Sequence, residues 1–218
     1  PEVEHVAYIA ELNEHLLAYN GKSIYEKGVY AEPDLFNIMQ FPAVKGNPVA
    51  ALQEAGSIVI SEQTARKLFG DEDPVGKIIR HNNQHDLKVE AVIRDLPRSS
   101  SLAFNVALPF RIFELQHKEM LSGWNNFVLG AYASLKPGTN LEALNAKLAK
   151  LTQPFFENRA TTVFAYPYKA LWLHGRFKNG RPNGGRIEVV MLLSCISLFV
   201  LLMVCVNFMN LGTARSMQ

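Results

Sequence analysis

The chain has 218 residues, 48% apolar and 19% charged, which excludes an intrinsically disordered or collagen-like protein. Twenty-two Lys and Arg stand against 20 Asp and Glu, so a formal charge of +2 carries no basic excess of the kind a nucleic-acid binder shows. Two cysteines cannot build a disulfide scaffold, and the length fits one domain or two small ones. Pro1 in place of Met is expected of a mature form or an excised piece.

From the N-terminus, His15–Tyr19 and Lys22–Tyr30 flank Asn20-Gly21, a strong hairpin signal because both residues tolerate the positive φ of a type I′ turn. Glu32–Met39 is expected as a short helix opened by Pro33. Ser57–Ile60 reads as a buried strand, and Ser61 as the cap of a helix that runs to about Phe69 and stops at Gly70. Lys77–His81 and Leu87–Asp95 form a second predicted hairpin around the polar turn 81–86. After the loop 97–101 come a strand over Leu102–Leu108, a proline-started helix over Pro109–Lys118 and a strand over Phe127–Leu135, closed by Pro137-Gly138.

Thr139-Asn-Leu-Glu142 has the form of a capping box. Leu141, Leu144, Leu148 and Leu151 then recur at helical spacing, an apolar stripe expected to face a sheet. Thr161–Tyr168 reads as a further strand and Asn179–Gly185 as a flexible joint. There is no repeat and no low-complexity tract. The soluble part is therefore a mixed α/β domain.

The run from Val189 to Val206 is different. Its 18 residues carry no charge, and twelve of them are Leu, Ile, Val or Phe. Together these favour insertion into a bilayer by roughly −4 to −7 kcal/mol. A core helix seldom stays apolar on every face for five turns, and a signal peptide does not sit at the C-terminal end. A transmembrane helix is expected, with Asn207, Phe208, Met209 and Asn210 leading to an interface and Arg215 as the first charge beyond.

Ser194, Ser197, Cys195 and Cys205 inside the span read as small packing residues. The cysteines sit roughly 15 Å apart along one helix, too far for a disulfide. Arg176, Lys178, Arg181 and Arg186 precede the span, so the positive-inside rule taken alone would put the soluble domain in the cytoplasm. Long domains cross membranes largely regardless of charge, which weakens that count.

Gly70-Asp-Glu-Asp-Pro-Val-Gly-Lys-Ile78 has a faint likeness to a phosphate-binding loop. Its glycines are five residues apart instead of four, Ile78 replaces the Mg²⁺-binding Ser/Thr, and Asp71, Glu72 and Asp73 repel phosphate. It reads as a helix cap, an acidic turn and the start of a strand. His81 and His85 are four apart but lie in a turn, where that spacing does not converge on a metal. His5, His15, His117 and His174 are scattered singly. No nucleophile, paired-acid or metal pattern appears, so no catalytic residue, cofactor site or metal site is expected, and the chain is not expected to be an enzyme. Trp124, Trp172 and Tyr166-Pro-Tyr168 have two readings, ligand contact or core packing, of which the second is commoner.

Four stretches, in order along the chain, resemble the extracytoplasmic core domain of the MacB/FtsX-like ABC transporter permeases. They are Val29–Gly46 with Glu32-Pro-Asp-Leu-Phe36, Ser57–Lys77 with Phe69-Gly-Asp-Glu-Asp-Pro-Val-Gly76, Val89–Pro97, and Asn207-Phe-Met-Asn-Leu-Gly-Thr-Ala-Arg215. The last is similar to the exit of the family's second transmembrane helix, with Gly212 where Ser is common. The second accounts for the false phosphate loop.

The resemblance implies an α+β fold, porter-like α/β units with a β-rich insertion, followed by one transmembrane helix. It implies an extracytoplasmic or periplasmic core domain over residues 1–183, a span over 184–214, and a cytoplasmic start at 215–218. It further implies a permease of the bacterial cytoplasmic (inner) membrane, with one helix before Pro1 and a coupling segment and further spans after Gln218. The implied partners are a cytoplasmic ATP-binding subunit, a second permease subunit and the lipid bilayer, with room for a periplasmic or outer-membrane partner. Nucleic acid is not among them. A membrane-anchored sensor has the same layout, and the sequence beyond Gln218 discriminates the two. A tethered hydrolase needs a nucleophile or metal set that the residues do not supply.

Overall fold

Asn20 and Gly21 take φ of 45° and 76°, the left-handed pair that a tight two-residue loop needs, and the chain reverses there. The structure, a computed structural model, describes residues 2–97, 99–123, 126, 128–156, 161–178 and 180–216. Strands β1 (Val3–Tyr19) and β2 (Lys22–Ala31) meet across the loop with Tyr19 opposite Lys22. There follow α1 (Leu35–Ile38), β3 (Ala43–Gly46), α2 (Pro48–Ala51), β4 (Ser57–Ser61), α3 (Glu62–Phe69), β5 (Ile78–His81) and β6 (His85–Ile93). Then come β7 (Val106–Pro109), α4 (Phe110–Gln116), α5 (Lys118–Leu121), β8 (Leu129–Leu135) and α6 (Leu141–Thr152), continued by a 3-10 turn at Gln153–Phe155.

The strands run in the order β2-β7-β4-β6-β5-β1-β8, and β1 also pairs with β2. Leu17 faces Ile24 of β2 on one edge and His81 of β5 on the other, so the ladder closes into a ring of six strands. The 17 residues of β1, about 56 Å when extended, are what permit this. Its start pairs with β8, from Val3 opposite Leu135 to Ala10 opposite Leu129, and its end pairs with β5. The predicted first hairpin, His15–Tyr19, covered only the last five residues of this strand. The second hairpin, β5–β6, joins the same sheet, and Asn82 and Asn83 turn it with φ of 47° and 56°.

Strands β4 and β7 are buried at every residue, which is why Ile58–Ile60 and Val106–Pro109 read as apolar runs, whereas β5 alternates exposed and buried residues. Ile58, Ile60, Tyr30, Val106 and Leu108 pack with Leu68 and Phe69 of α3 and with Phe110 and Phe113 of α4. The alternate residues Val29, Ala31, Val59 and Ala107 pack with Leu35 and Phe36 of α1 and Ala51 of α2. Ser61 caps α3 as expected, its Oγ accepting from the Thr64 amide at 3.2 Å, and the Gly70 amide closes the helix on the Arg66 carbonyl at 3.0 Å.

Several expectations require correction. Leu102–Asn105 is loop rather than strand, although Leu102 and Phe104 are buried; they plug the second face without entering the ladder. The helix from Pro109 ends at Gln116, and α1 is only four residues long. The cap of α6 is Asn140, whose side chain accepts from the Ala143 amide at 3.0 Å. The Thr139 hydroxyl instead donates to the Lys136 carbonyl at 2.7 Å. Of the leucine stripe on α6 only Leu144 is buried, and Leu151 is 68% exposed.

The described chain divides into two compact units, Pro1–Thr161 and Thr162–Gln218. The second contains α7 (Tyr168–His174), β9 (Phe177–Lys178), β10 (Arg181–Pro182) and α8 (Arg186–Ser216). The strand expected at Thr161–Tyr168 is absent. Phe164 and Tyr166 do share a face, but that face packs on the single ring of Phe177, with centroids at 5.4 and 4.9 Å. Pro167 cannot donate to a ladder, and its carbonyl accepts the Ala170 amide as α7 begins.

Candidate functional site

The 31 residues of α8 reach about 46 Å, well beyond the ≈ 30 Å of a hydrocarbon core. Between Glu188 and Arg215 it carries no charge. Its described side chains from Val189 to Thr213 are all exposed. A helix that is apolar on every face and covered by nothing in its own unit needs lipid or neighbouring helices around it. The hydroxyls of its described side chains are satisfied internally: Ser194 donates to the Val190 carbonyl, Ser197 to Leu193 and Thr213 to Met209, each at 2.8 Å. Cys195 and Cys205 are free thiols. Asn207 and Asn210 lie three apart on its last turns.

Aromatic and basic residues, here called the collar, lie at the start of α8 and in the segment before it. The Arg186 guanidinium lies 3.7 Å above the Trp172 ring, a cation–π contact between the first residue of α8 and α7. Arg176 reaches Glu188 at 3.6 Å. Lys178 and Arg181 stand directly opposite each other on the β9–β10 hairpin. Of the expected joint, Asn179 lies outside the described residues, and residues 181 and 182 form β10. The Asn183 amide donates to the Arg176 carbonyl at 2.7 Å. Gly185 has φ of 142°, and a Cβ there would lie 2.5 Å from the Leu173 carbonyl oxygen. Trp172 is 53% exposed and Tyr168 is 37% exposed, so neither is a core residue. Trp124 lies outside the described residues.

Within the sheet, the structure joins two histidines that the sequence left apart. Leu17 pairs with His81, which makes His15 and His81 diagonal neighbours on adjacent strands. His15 Nδ1 and His81 Nε2 are 2.9 Å apart, and both residues are buried. His15 Nε2 and His81 Nδ1 have no partner. Burial pushes both imidazoles toward the neutral form: His15 falls below its usual range and His81 falls to about 4, helped by the neighbouring His15 and His85. The edge of the Tyr30 ring closes over His15 at 5.3 Å. Only the non-local β1–β5 register brings this pair together, and no local pattern announces it. Among the described residues no group of three or more His, Cys, Asp or Glu converges to hold a metal.

The Gly70–Ile78 loop is organised by its own charges. Lys77 bonds Glu72 and lies 3.3 Å from the Tyr19 hydroxyl, and these contacts raise its pKa while its bond lowers that of Glu72. Asp73 accepts from the Val75 amide at 3.2 Å and pairs with Lys45 at 3.1 Å, which holds its carboxyl below the usual range. Glu26, buried at β2, accepts from Lys67 at 2.6 Å and from Asn105 at 2.5 Å, tying α3 and the β7 approach to the hairpin. A groove of about 450 Å³ opens beside β5, β6 and α4. Its polar groups largely engage one another, Arg80 with Asp86 at 3.0 Å and His85 with Gln116 at 3.1 Å.

The sheet unit is the part of the chain that known proteins match. The model of the MacB-like periplasmic core domain matches residues 1–151. The chain belongs to that family. A crystal structure described as a domain of a permease protein from Porphyromonas gingivalis is 26% identical, with a TM-score of 0.61 over 72% of each chain. The periplasmic region of MacB from Actinobacillus actinomycetemcomitans is 15% identical, covering 70% of this chain and 67% of that one at a TM-score of 0.54. The extracellular domain of the noncanonic ABC-type transporter YknZ from Gram-positive bacteria is 16% identical, covering 70% and 76% at 0.53. At those identities the last two establish the shared fold alone. No curated protein matches the chain. The MacB-like domain is a part of ABC-type transporter permeases, so the resemblance drawn from the four sequence stretches holds, as does the mixed α/β fold class. The protein is membrane-anchored with an extracytoplasmic segment.

Proposed function

We propose that this chain is the extracytoplasmic domain and second transmembrane helix of a permease subunit that couples ATP hydrolysis by a partner ATPase to export or extraction of a substrate. The observation that carries the reading is the family match over residues 1–151 with α8 following in the same chain. The subunit works as a dimer in the bacterial inner membrane, residues 1–183 lie on the extracytoplasmic side, and Arg215 enters the cytoplasm. The chain hydrolyses nothing itself. The engagement of Lys77 by Glu72 and Tyr19 supports reading its loop as structural rather than nucleotide-binding.

Two measurements test this reading. Cysteines introduced by Lys178→Cys and Arg215→Cys, in a background lacking Cys195 and Cys205, are labelled in intact cells with an impermeant thiol reagent. Labelling at 178 alone is expected, and labelling at 215 alone reverses the orientation. The full-length permease is then purified from membranes. An ATP-binding subunit is expected to accompany it, and export is expected to stop when that subunit's hydrolysis is disabled. Export that persists without hydrolysis overturns the coupling.

A further inference from the structure

Arg176, Lys178, Arg181 and Arg186 fall within 11 residues, with Glu188 the one nearby acid. On the proposed orientation they lie on the side of the membrane that topology rules favour least for cations. Their arrangement is also costly when left alone. Lys178 and Arg181 are direct cross-strand partners on a two-residue ladder, and like charges so placed repel. Among the described residues neither has a carboxylate partner; the collar's single acid, Glu188, is taken by Arg176 at 3.6 Å. An anion seated between Lys178 and Arg181 would turn this repulsion into attraction.

Depth identifies the anion. The apolar run begins at Val189, one turn after Arg186, so the collar lies at headgroup level wherever α8 enters a bilayer. The half-exposed indole of Trp172, stacked under Arg186 at 3.7 Å, has the amphipathic character of residues at a membrane interface. We infer that the cross-strand pair Lys178 and Arg181 binds the phosphate of an anionic phospholipid headgroup. The Arg181 guanidinium fork supplies paired donors to phosphate oxygens, and the lysine supplies a point charge. The inference rests on α8 crossing the membrane.

The test uses the chain with Trp124→Phe, which leaves Trp172 as its one tryptophan. It is placed in nanodiscs of phosphatidylcholine and phosphatidylglycerol in which one lipid or the other carries brominated acyl chains. At equal mole fraction, brominated phosphatidylglycerol is expected to quench Trp172 with a relative binding constant about fivefold or more above phosphatidylcholine, the fold-change one cation near a lipid surface yields. The variant K178Q/R181Q is expected to lose the preference and keep the quenching by brominated phosphatidylcholine. Equal quenching by both lipids in the parent chain overturns the inference and leaves the span intact. So does a preference that survives K178Q/R181Q, or one that excess inorganic phosphate abolishes, since the site would then take a free anion. Absence of quenching by either lipid overturns the span reading itself.

Discussion

The His15 ring lies so close to Gly28 that a Cβ on Gly28 would sit 2.5 Å from its Cδ2. Gly28→Ala therefore displaces the ring and is expected to cost about 1–3 kcal/mol by overpacking. The cost should shrink when His15 is itself truncated, which a double-mutant cycle in urea measures. The His15–His81 pair also makes stability depend on pH. An unfolded histidine takes a proton near 6.5, whereas buried His81 resists until about 4. The unfolded chain thus binds more protons in that window, so stability is complete above about pH 6.5 and declines as pH falls toward 4. The urea midpoint of the detergent-solubilised chain is expected to drop between pH 7 and pH 5. Replacing both residues, in H15L/H81L, removes two buried polar groups together and should change stability at pH 7 by about 1 kcal/mol or less while flattening much of the slope. An unchanged slope in the variant would show that other groups govern the acid response.

At the scale of elements, the cap of α6 separates two readings that the sequence left adjacent. Asn140→Ala removes the acceptor of the Ala143 amide and is expected to cost about 1 kcal/mol, with Thr139→Ala costing less, as read by thermal unfolding. The reverse order would restore Thr139 as the cap. Both residues suit the position chemically, and the Lys136 carbonyl decides by taking the Thr139 hydroxyl. Elements with a local signature were legible in this way: the Asn20-Gly21 turn, the Ser61 cap, the Gly70 stop and the uncharged run of α8. What depended on distant partners was not. Leu102 and Phe104 alternate like a strand yet find no ladder, because Val106–Pro109 occupies the place between β2 and β4. Phe164 and Tyr166 alternate likewise and meet one aromatic ring. The His15–His81 pair exists only through the β1–β5 register, and the collar only through the turn that lays Trp172 beneath Arg186. The segments that carried the family resemblance were legible for the opposite reason: their residues were recognisable without a knowledge of their partners.

At the scale of the whole molecule, the proposed function requires that work done by a partner ATPase reach the extracytoplasmic domain, and it makes α8 a candidate path. With the Ser194, Ser197 and Thr213 hydroxyls bonded to its own backbone and helix assigned without a break from Arg186 to Ser216, α8 is suited to carry displacement along its axis. At about 46 Å it is long enough to extend past the hydrocarbon. Its entry is equally specified: Asn183 is tied to Arg176, and Gly185 sits against the Leu173 carbonyl with no room for a side chain. A Gly-Ser segment inserted between Gly184 and Gly185 adds slack at that turn, because such a chain behaves as a flexible coil. The insertion leaves α8 as apolar as before and touches nothing on the cytoplasmic side. Membrane insertion and ATP hydrolysis by the assembled transporter are therefore expected to persist while export falls to background. An insertion of the same length in the Asn82-Asn83 turn, within the sheet unit, controls for added length and should leave export measurable. Export at the wild-type rate with slack at Gly184-Gly185 would mean that α8 anchors the domain without driving it, and that the work travels through another helix of the permease.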